Sequence, residues 1–189
     1  MKICAEIGQV AGADLNDTMM LVSEAHTAGF DAVKIQAIHP ETLVVAGAEP
    51  YWDGADHLGQ ESQLQAFANA GCLREDQIRD VAGFCRELGM EFVITPFGLE
   101  WIDLCGEIAD RIKIASGDIR WKELIVAAGQ TGQPLIISTG ASTWPEIHDT
   151  LLWTRSTKNQ TIYYLACTLD YPTLAVDAEL GRIRTLYNG

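Results

Sequence analysis

Only five lysines occur in the 189-residue chain, and two of them, Lys34 and Lys113, stand in the middle of short β-rich runs. Lysine and glutamate are almost never buried unless paired or put to use. Glu6, Gln36, Thr95 and Ser138 fall in phase with the two lysines on neighbouring runs. All six side chains then converge at one end of the strands. Two buried lysines call for an anionic ligand, most simply a phosphate or carboxylate; the other reading is a structural ion bridge from Glu6 to one of them. Three strand-ending turns add donors: Thr95-Pro96-Phe97-Gly98, Ser116-Gly117-Asp118 and Ser138-Thr139-Gly140. Hydroxyls and backbone N–H groups in such turns can hold oxyanions. Tyr171-Pro172, after the sixth run, either fixes another active-site loop or makes an ordinary turn.

The elements that must position these groups alternate regularly. Strands are predicted over residues 2–8, 32–38, 91–97, 111–116, 134–139 and 161–167. Helices are predicted near 15–28, 75–88, 99–109, 121–131, 143–156 and 175–187. Gly29, Gly89 and Gly132 close helices, and Thr143-Trp144-Pro145-Glu146 opens one, with Pro145 suited to the first turn. The βαβα order predicts a parallel sheet. Each run has an apolar face (Val33, Ile35 and Ala37 in the second) and a mixed one (Lys34 and Gln36). An open sheet covered on both sides would be apolar on both. A closed barrel has helices outside and ligand groups at the C-terminal ends inside, so the fold class is α/β, a parallel (β/α) TIM-type barrel. Six βα units are counted where a full barrel has eight, which predicts an incomplete barrel with open strand edges and a possible homo-oligomer through them. Residues 39–74 form a long, weakly periodic stretch in which Gln63–Ala70 could be helical. It is a ligand-binding loop or an insertion covering a barrel end.

Composition narrows the function classes. The chain is 48% hydrophobic with a net charge of -13, and its mean hydropathy is +0.05. That describes a globular protein with one sizeable core, here a single domain over 1–189. The acidic balance argues against nucleic acid and anionic lipid as partners. No apolar run reaches 18 residues and no signal peptide is expected. Cysteines at 4, 72, 85, 105 and 167 show no CxxC spacing, which suits reduced thiols in a cytoplasm. Histidines at 26, 39, 57 and 148 show no metal-ligand spacing.

Taken in order, Ala5-Glu6-Ile7-Gly8, Val33-Lys34-Ile35-Gln36, Thr95-Pro96-Phe97, Lys113-Ile114-Ala115-Ser116-Gly117, Ser138-Thr139-Gly140 and Cys167-Thr168…Tyr171-Pro172 resemble the motifs of the sialic acid synthase family. That family includes N-acetylneuraminate synthase and its legionaminate and pseudaminate relatives. The resemblance covers nearly the whole chain. It implies a transferase of carbohydrate biosynthesis that condenses phosphoenolpyruvate with an N-acyl-mannosamine-type aldehyde sugar to make a sialic-type acid. Manganese or magnesium would polarise the aldehyde. By the family pattern Lys34, Thr95, Lys113, Ser116 and Ser138 hold phosphoenolpyruvate, while Glu6 and Asp118 face the sugar as catalytic groups. Gln36, Thr168 and Tyr171 complete the substrate-binding set.

The chain also departs from that pattern. Val10-Ala11 stands where the family has Asn-His, Ala166 where it has His, and Leu169 where it often has Asn or Ser. The metal-ligand histidines that the resemblance implies on strands seven and eight are not among the 189 residues, and neither is an antifreeze-like C-terminal domain. The alternative expectation is therefore a catalytically degenerate relative or a fragment that only binds an anion or a partner chain. On this reading the chain alone turns over weakly or not at all.

Overall fold

Six short strands alternate with helices in a computed structural model of the chain, which describes residues 2–8, 13–45, 47–49, 62–159, 161–170 and 172–188. The chain divides into two compact units, Met1–Ala109 and Asp110–Gly189. All strand pairs given below are parallel.

In the first unit the strands are β1 (Cys4–Gly8), β2 (Ala32–Ala37) and β3 (Glu91–Pro96). They lie side by side in chain order. The register sets Glu6 beside Lys34 and Gln36 beside Thr95. Side chains alternate across a strand, so these four residues share one face. The ladder slips between Glu6 and Gly8, where Gly8 takes a φ of +55° that a Cβ would disfavour. The opposite face, with Val33, Ile35, Phe92 and Ile94, is buried. The helices are α1 (Leu15–Thr27), α2 (Pro40–Leu43), α3 (Gln63–Ala70), α4 (Glu75–Glu87) and α5 (Ile102–Ile108). Val22 and Ala25 of α1, with Ile78, Val81 and Cys85 of α4, are buried as the apolar stripes of these helices. Asp14 caps α1 by accepting from the Asp17 N–H, and Gly29 and Gly89 follow α1 and α4 at positive φ, as the sequence predicts.

In the second unit the strands are β4 (Arg111–Ile114), β5 (Leu135–Ser138) and β6 (Ile162–Leu165), again in chain order. Lys113 sits beside Ile136, and Ser138 beside Leu165, which puts Lys113 and Ser138 on one face. The core is Ile112, Ile114, Leu135 and Ile137 with Leu124, Ile125 and Ala128 of α6 (Lys122–Gln130) and Ile147 of α7 (Trp144–Thr154). Thr143 and Glu146 form a reciprocal capping box on α7, with Pro145 in its first turn.

Three expectations need correction. The helix predicted over 175–187 is instead a 3₁₀ turn, Ala175–Asp177, and a separate α8 (Arg182–Asn188). Glu179 takes a φ of +41° between them, a left-handed residue that a continuous helix excludes. Lys113 is half-buried rather than buried, because the face it shares with Ile136 also carries the exposed Tyr163. Glu6 is not enclosed either: its side chain is 53% exposed. Among the described residues no helix is long and apolar enough to cross a membrane.

Candidate functional site

The first unit gathers four of the sequence-predicted groups. Lys34 is 4% exposed, in the middle of a strand whose other residues are apolar or Gln. Its Nζ lies 2.8 Å from Glu6 Oε2 and 2.9 Å from Oε1, and 3.5 Å from the Ile35 carbonyl. The structural ion bridge considered from sequence is thus present. It is lopsided: the ammonium is buried and the carboxylate opens to solvent. One strand over, Thr95 is 1% exposed and its Oγ1 has no hydrogen-bond partner among the described residues. An unmade hydrogen bond of this kind costs about 1–3 kcal/mol. Gln36, level with Thr95, is half-buried.

In the second unit the groups cluster where β4 and β5 end. Ser116-Gly117-Asp118 makes a 3₁₀ turn directly after β4. The Gly140 N–H donates to Ser116 Oγ over 3.1 Å, which leaves the Ser116 proton to be given elsewhere. A Cβ at Gly140 would meet Ser116 Oγ at 2.8 Å and the Leu169 nitrogen at 3.1 Å, so any larger residue must displace the Ser116 hydroxyl. Among the described residues, Ser138, 2% exposed, has no partner for its Oγ, and Asp118 Oδ2 is likewise buried without one. Burial pushes the Asp118 carboxyl above the usual aspartate range, and the nearby Lys113 ammonium pulls it back in part. A carboxyl of that kind can hold and deliver a proton. Thr168 donates to the Asp177 carbonyl at 2.8 Å, so its proton is committed within its own loop. Tyr171 lies outside the described residues, as do Val10 and Ala11.

The residues described do not fit a metal. His39 stacks on Trp101 with ring centroids 4.4 Å apart, His26 and His148 are exposed on α1 and α7, and His57 lies outside the described residues. Among those described, no group of three or more His, Cys, Asp or Glu side chains could hold an ion.

One cation was missed from sequence. Arg182, in the last helix, reaches the carbonyls of Thr139 and Cys167, at 3.2 and 3.5 Å. No motif signals it, because 43 residues separate it from Thr139.

Comparison with known proteins bears on this geometry. A family model described as NeuB family matches residues 21–189. N,N'-diacetyllegionaminic acid synthase of Campylobacter jejuni is 30% identical over 189 residues, covering 97% of this chain and 56% of that protein. An uncharacterised protein of Methanocaldococcus jannaschii is 29% identical, covering 97% of this chain and 51% of its own length. The crystal structure of N-acetylneuraminic acid synthetase from Leptospira borgpetersenii, in complex with citrate, superposes with a TM-score of 0.82 at 26% identity. It covers 98% of this chain and 60% of that one. The fold class is therefore that of TIM-type barrel synthases, α/β with parallel strands. The chain spans about half the length of the curated relatives it matches.

Proposed function

The chain belongs to the NeuB family of sialic and related nonulosonic acid synthases, and from that premise we propose that it carries the phosphoenolpyruvate-binding groups of such an enzyme. The acceptor in this reading is an N-acyl-mannosamine-type aldehyde sugar. Carbon C3 of phosphoenolpyruvate attacks the aldehyde carbon, and the carbonyl electron pair goes to the aldehyde oxygen, which takes a proton. Water adds at C2, and phosphate leaves with cleavage of its C–O bond.

The residues take roles that follow from their chemistry. Lys34 and Lys113 balance the phosphate and carboxylate charges. Thr95, Ser116 and Ser138 donate to the anion's oxygens, and Gln36, Thr168 and Tyr171 belong to the same binding set. Asp118, whose carboxyl burial raises above the usual aspartate range, supplies the proton to the aldehyde oxygen; Glu6 faces the sugar while balancing Lys34. The family's manganese or magnesium would polarise the aldehyde, but the described residues do not provide its ligands. A second copy pairing along β1 or β6 and residence in the cytoplasm belong to the same proposal.

What carries it is a pair of buried hydroxyls without partners among the described residues, Thr95 Oγ1 and Ser138 Oγ, each at a strand end in a unit that also holds a mid-strand lysine. The test is calorimetric titration of phosphoenolpyruvate into the 189-residue chain. Binding that Lys113→Met weakens measurably, by less than the roughly 2–5 kcal/mol of a fully desolvated charge contact because Lys113 is half-buried, supports the reading; absence of binding by the parent removes it. Ala166 and Leu169, apolar where the resemblance calls for polar residues, favour one second reading: a chain that binds the anion without turning it over. Phosphate release with N-acetylmannosamine and manganese separates the two.

A further inference from the structure

We propose that Arg182 is a positioning residue for the anion site, acting through the Thr139–Gly140 peptide to set the Ser116 hydroxyl as a donor. This rests on the reading that Ser116 holds the anion. The two ends of a single peptide plane carry the argument. Arg182 Nη2 donates to the Thr139 carbonyl at 3.2 Å. The Gly140 N–H, the other end of that same amide, donates to Ser116 Oγ at 3.1 Å. A cation on the oxygen of an amide draws electron density from its nitrogen, so the N–H becomes a stronger donor. A serine oxygen that accepts a firm hydrogen bond turns its own proton away from that donor. Ser116 is thereby prepared to give its proton to an anion.

The surroundings show that this peptide is held rather than merely placed. Thr139 donates twice to the Leu165 carbonyl, through its N–H at 3.1 Å and its hydroxyl at 2.8 Å. Ser142 donates to the Gly140 carbonyl at 3.2 Å. Ala141, between them, has a φ of +55°, a left-handed conformation that costs about 1–2 kcal/mol for a residue with a Cβ and persists only where neighbours enforce it. Arg182 also reaches the Cys167 carbonyl at 3.5 Å, tying the loop after β6 to the turn after β5. Packing does not explain its position, because α8 exposes Ile183 and Tyr187 at 58% and 90%.

The experiment compares the 189-residue chain with Arg182→Met, Arg182→Lys, Ser116→Ala and the Ser116→Ala/Arg182→Met double variant. Phosphoenolpyruvate affinity is read by calorimetry, and the Gly140 amide by ¹H–¹⁵N NMR without ligand. Arg182→Met is expected to weaken binding about tenfold, the lower end for loss of a charge-assisted hydrogen bond, and Arg182→Lys to recover part of it. In the Ser116→Ala background Arg182→Met should change affinity less than about twofold, because the route to the anion is already gone. The Gly140 amide should move upfield and exchange faster in Arg182→Met. Parent-like affinity in Arg182→Met, an equal loss in both backgrounds, or an unmoved Gly140 amide overturns the proposal. If the parent binds no phosphoenolpyruvate, the functional reading falls, and the amide signal still decides whether Arg182 is coupled to Ser116. Arg182→Lys controls for a folding defect in Arg182→Met.

Discussion

Replacing Lys34 with methionine and Glu6 with glutamine should move stability in opposite directions. The Lys34 ammonium is 4% exposed, and taking such an ion from water costs several kcal/mol. Glu6 returns part of that cost from 2.8 Å. At an effective dielectric constant near 20, unit charges about 4 Å apart attract by about 4 kcal/mol. Half of the Glu6 side chain meets water, so screening lowers the net value toward that of a surface pair, about 0–1 kcal/mol. Breaking a fully buried pair costs about 3–5 kcal/mol. This lopsided pair lies between the limits, and Glu6→Gln, which keeps an oxygen acceptor, should cost about 1–2 kcal/mol. Lys34→Met removes the ion itself and fills its space with an apolar chain of similar length. Replacing a whole buried pair by apolar chains is neutral or stabilising, and the penalty for removing one partner comes from a buried charge left behind; the Glu6 carboxylate left here is 53% exposed, so Lys34→Met should leave stability unchanged or raise it by about 1 kcal/mol.

Urea unfolding followed by circular dichroism, with unchanged m-values as the check on two-state behaviour, reads both variants. The same Lys34→Met protein should lose phosphoenolpyruvate binding in the calorimeter. More stable and less able to bind is what a site kept for function predicts. A Lys34→Met destabilisation above about 2 kcal/mol, with Glu6→Gln neutral, would refute the reasoning and make the lysine a structural element.

Other outcomes follow from single contacts. Thr143→Ala removes the hydroxyl half of the α7 capping box and should cost about 1 kcal/mol in urea unfolding. Asp118 has a raised pKa in the fold, so its contribution to stability is intact below the unfolded value near 3.9 and is lost as pH rises through the folded value. The stability advantage of Asp118→Asn over the parent should therefore grow between pH 4 and pH 7; a flat or shrinking difference contradicts the assignment. Gly140→Ala drives a Cβ to 2.8 Å from Ser116 Oγ and should weaken anion binding at least tenfold in the same titration, as loss of a charge-assisted contact does. Burial pushes the Cys105 thiol up to about 12, so iodoacetamide at pH 8 should label the exposed Cys4 and spare Cys105, read by peptide mass spectrometry.

The strands and most helices were legible because local signals and tertiary demands agree there. Apolar alternation in Val33, Ile35, Phe92 and Ile94 marks positions that are buried, and Gly29, Gly89 and Gly132 stand at positive φ where helices end. The C-terminal helix was misread because an apolar period runs through Leu174, Leu180, Ile183 and Tyr187 while these side chains stay exposed. Periodicity reports that a face is apolar, not that anything covers it. Lys113 was overestimated in the same way: alternation gives the face, and burial depends on neighbours such as Tyr163, which are set by pairing. Arg182 could not be found from sequence, since its partners are backbone carbonyls, and every residue carries one.

The buried hydroxyls fall into two groups. Thr18, Thr139, Thr150 and Thr154 are buried, and each donates to a backbone carbonyl between 2.7 and 2.9 Å. These are the ordinary solutions for a hydroxyl that leaves water. Thr95 and Ser138 are as deeply buried and make no such bond among the described residues. Both sit at the C-terminal end of a parallel strand, where the ladder ends and ligands of barrel enzymes bind. Local backbone chemistry does not account for the difference, because Thr139, the very next residue after Ser138, is fully satisfied. A fold shaped by stability alone would lose about 1–3 kcal/mol at each orphan and gain by replacing Thr95 with valine and Ser138 with alanine. Trp101 Nε1 is also buried without a partner among the described residues, and nothing in the structure explains it. On the proposed function, the orphans at the strand ends would be donors kept for the oxygens of an anion.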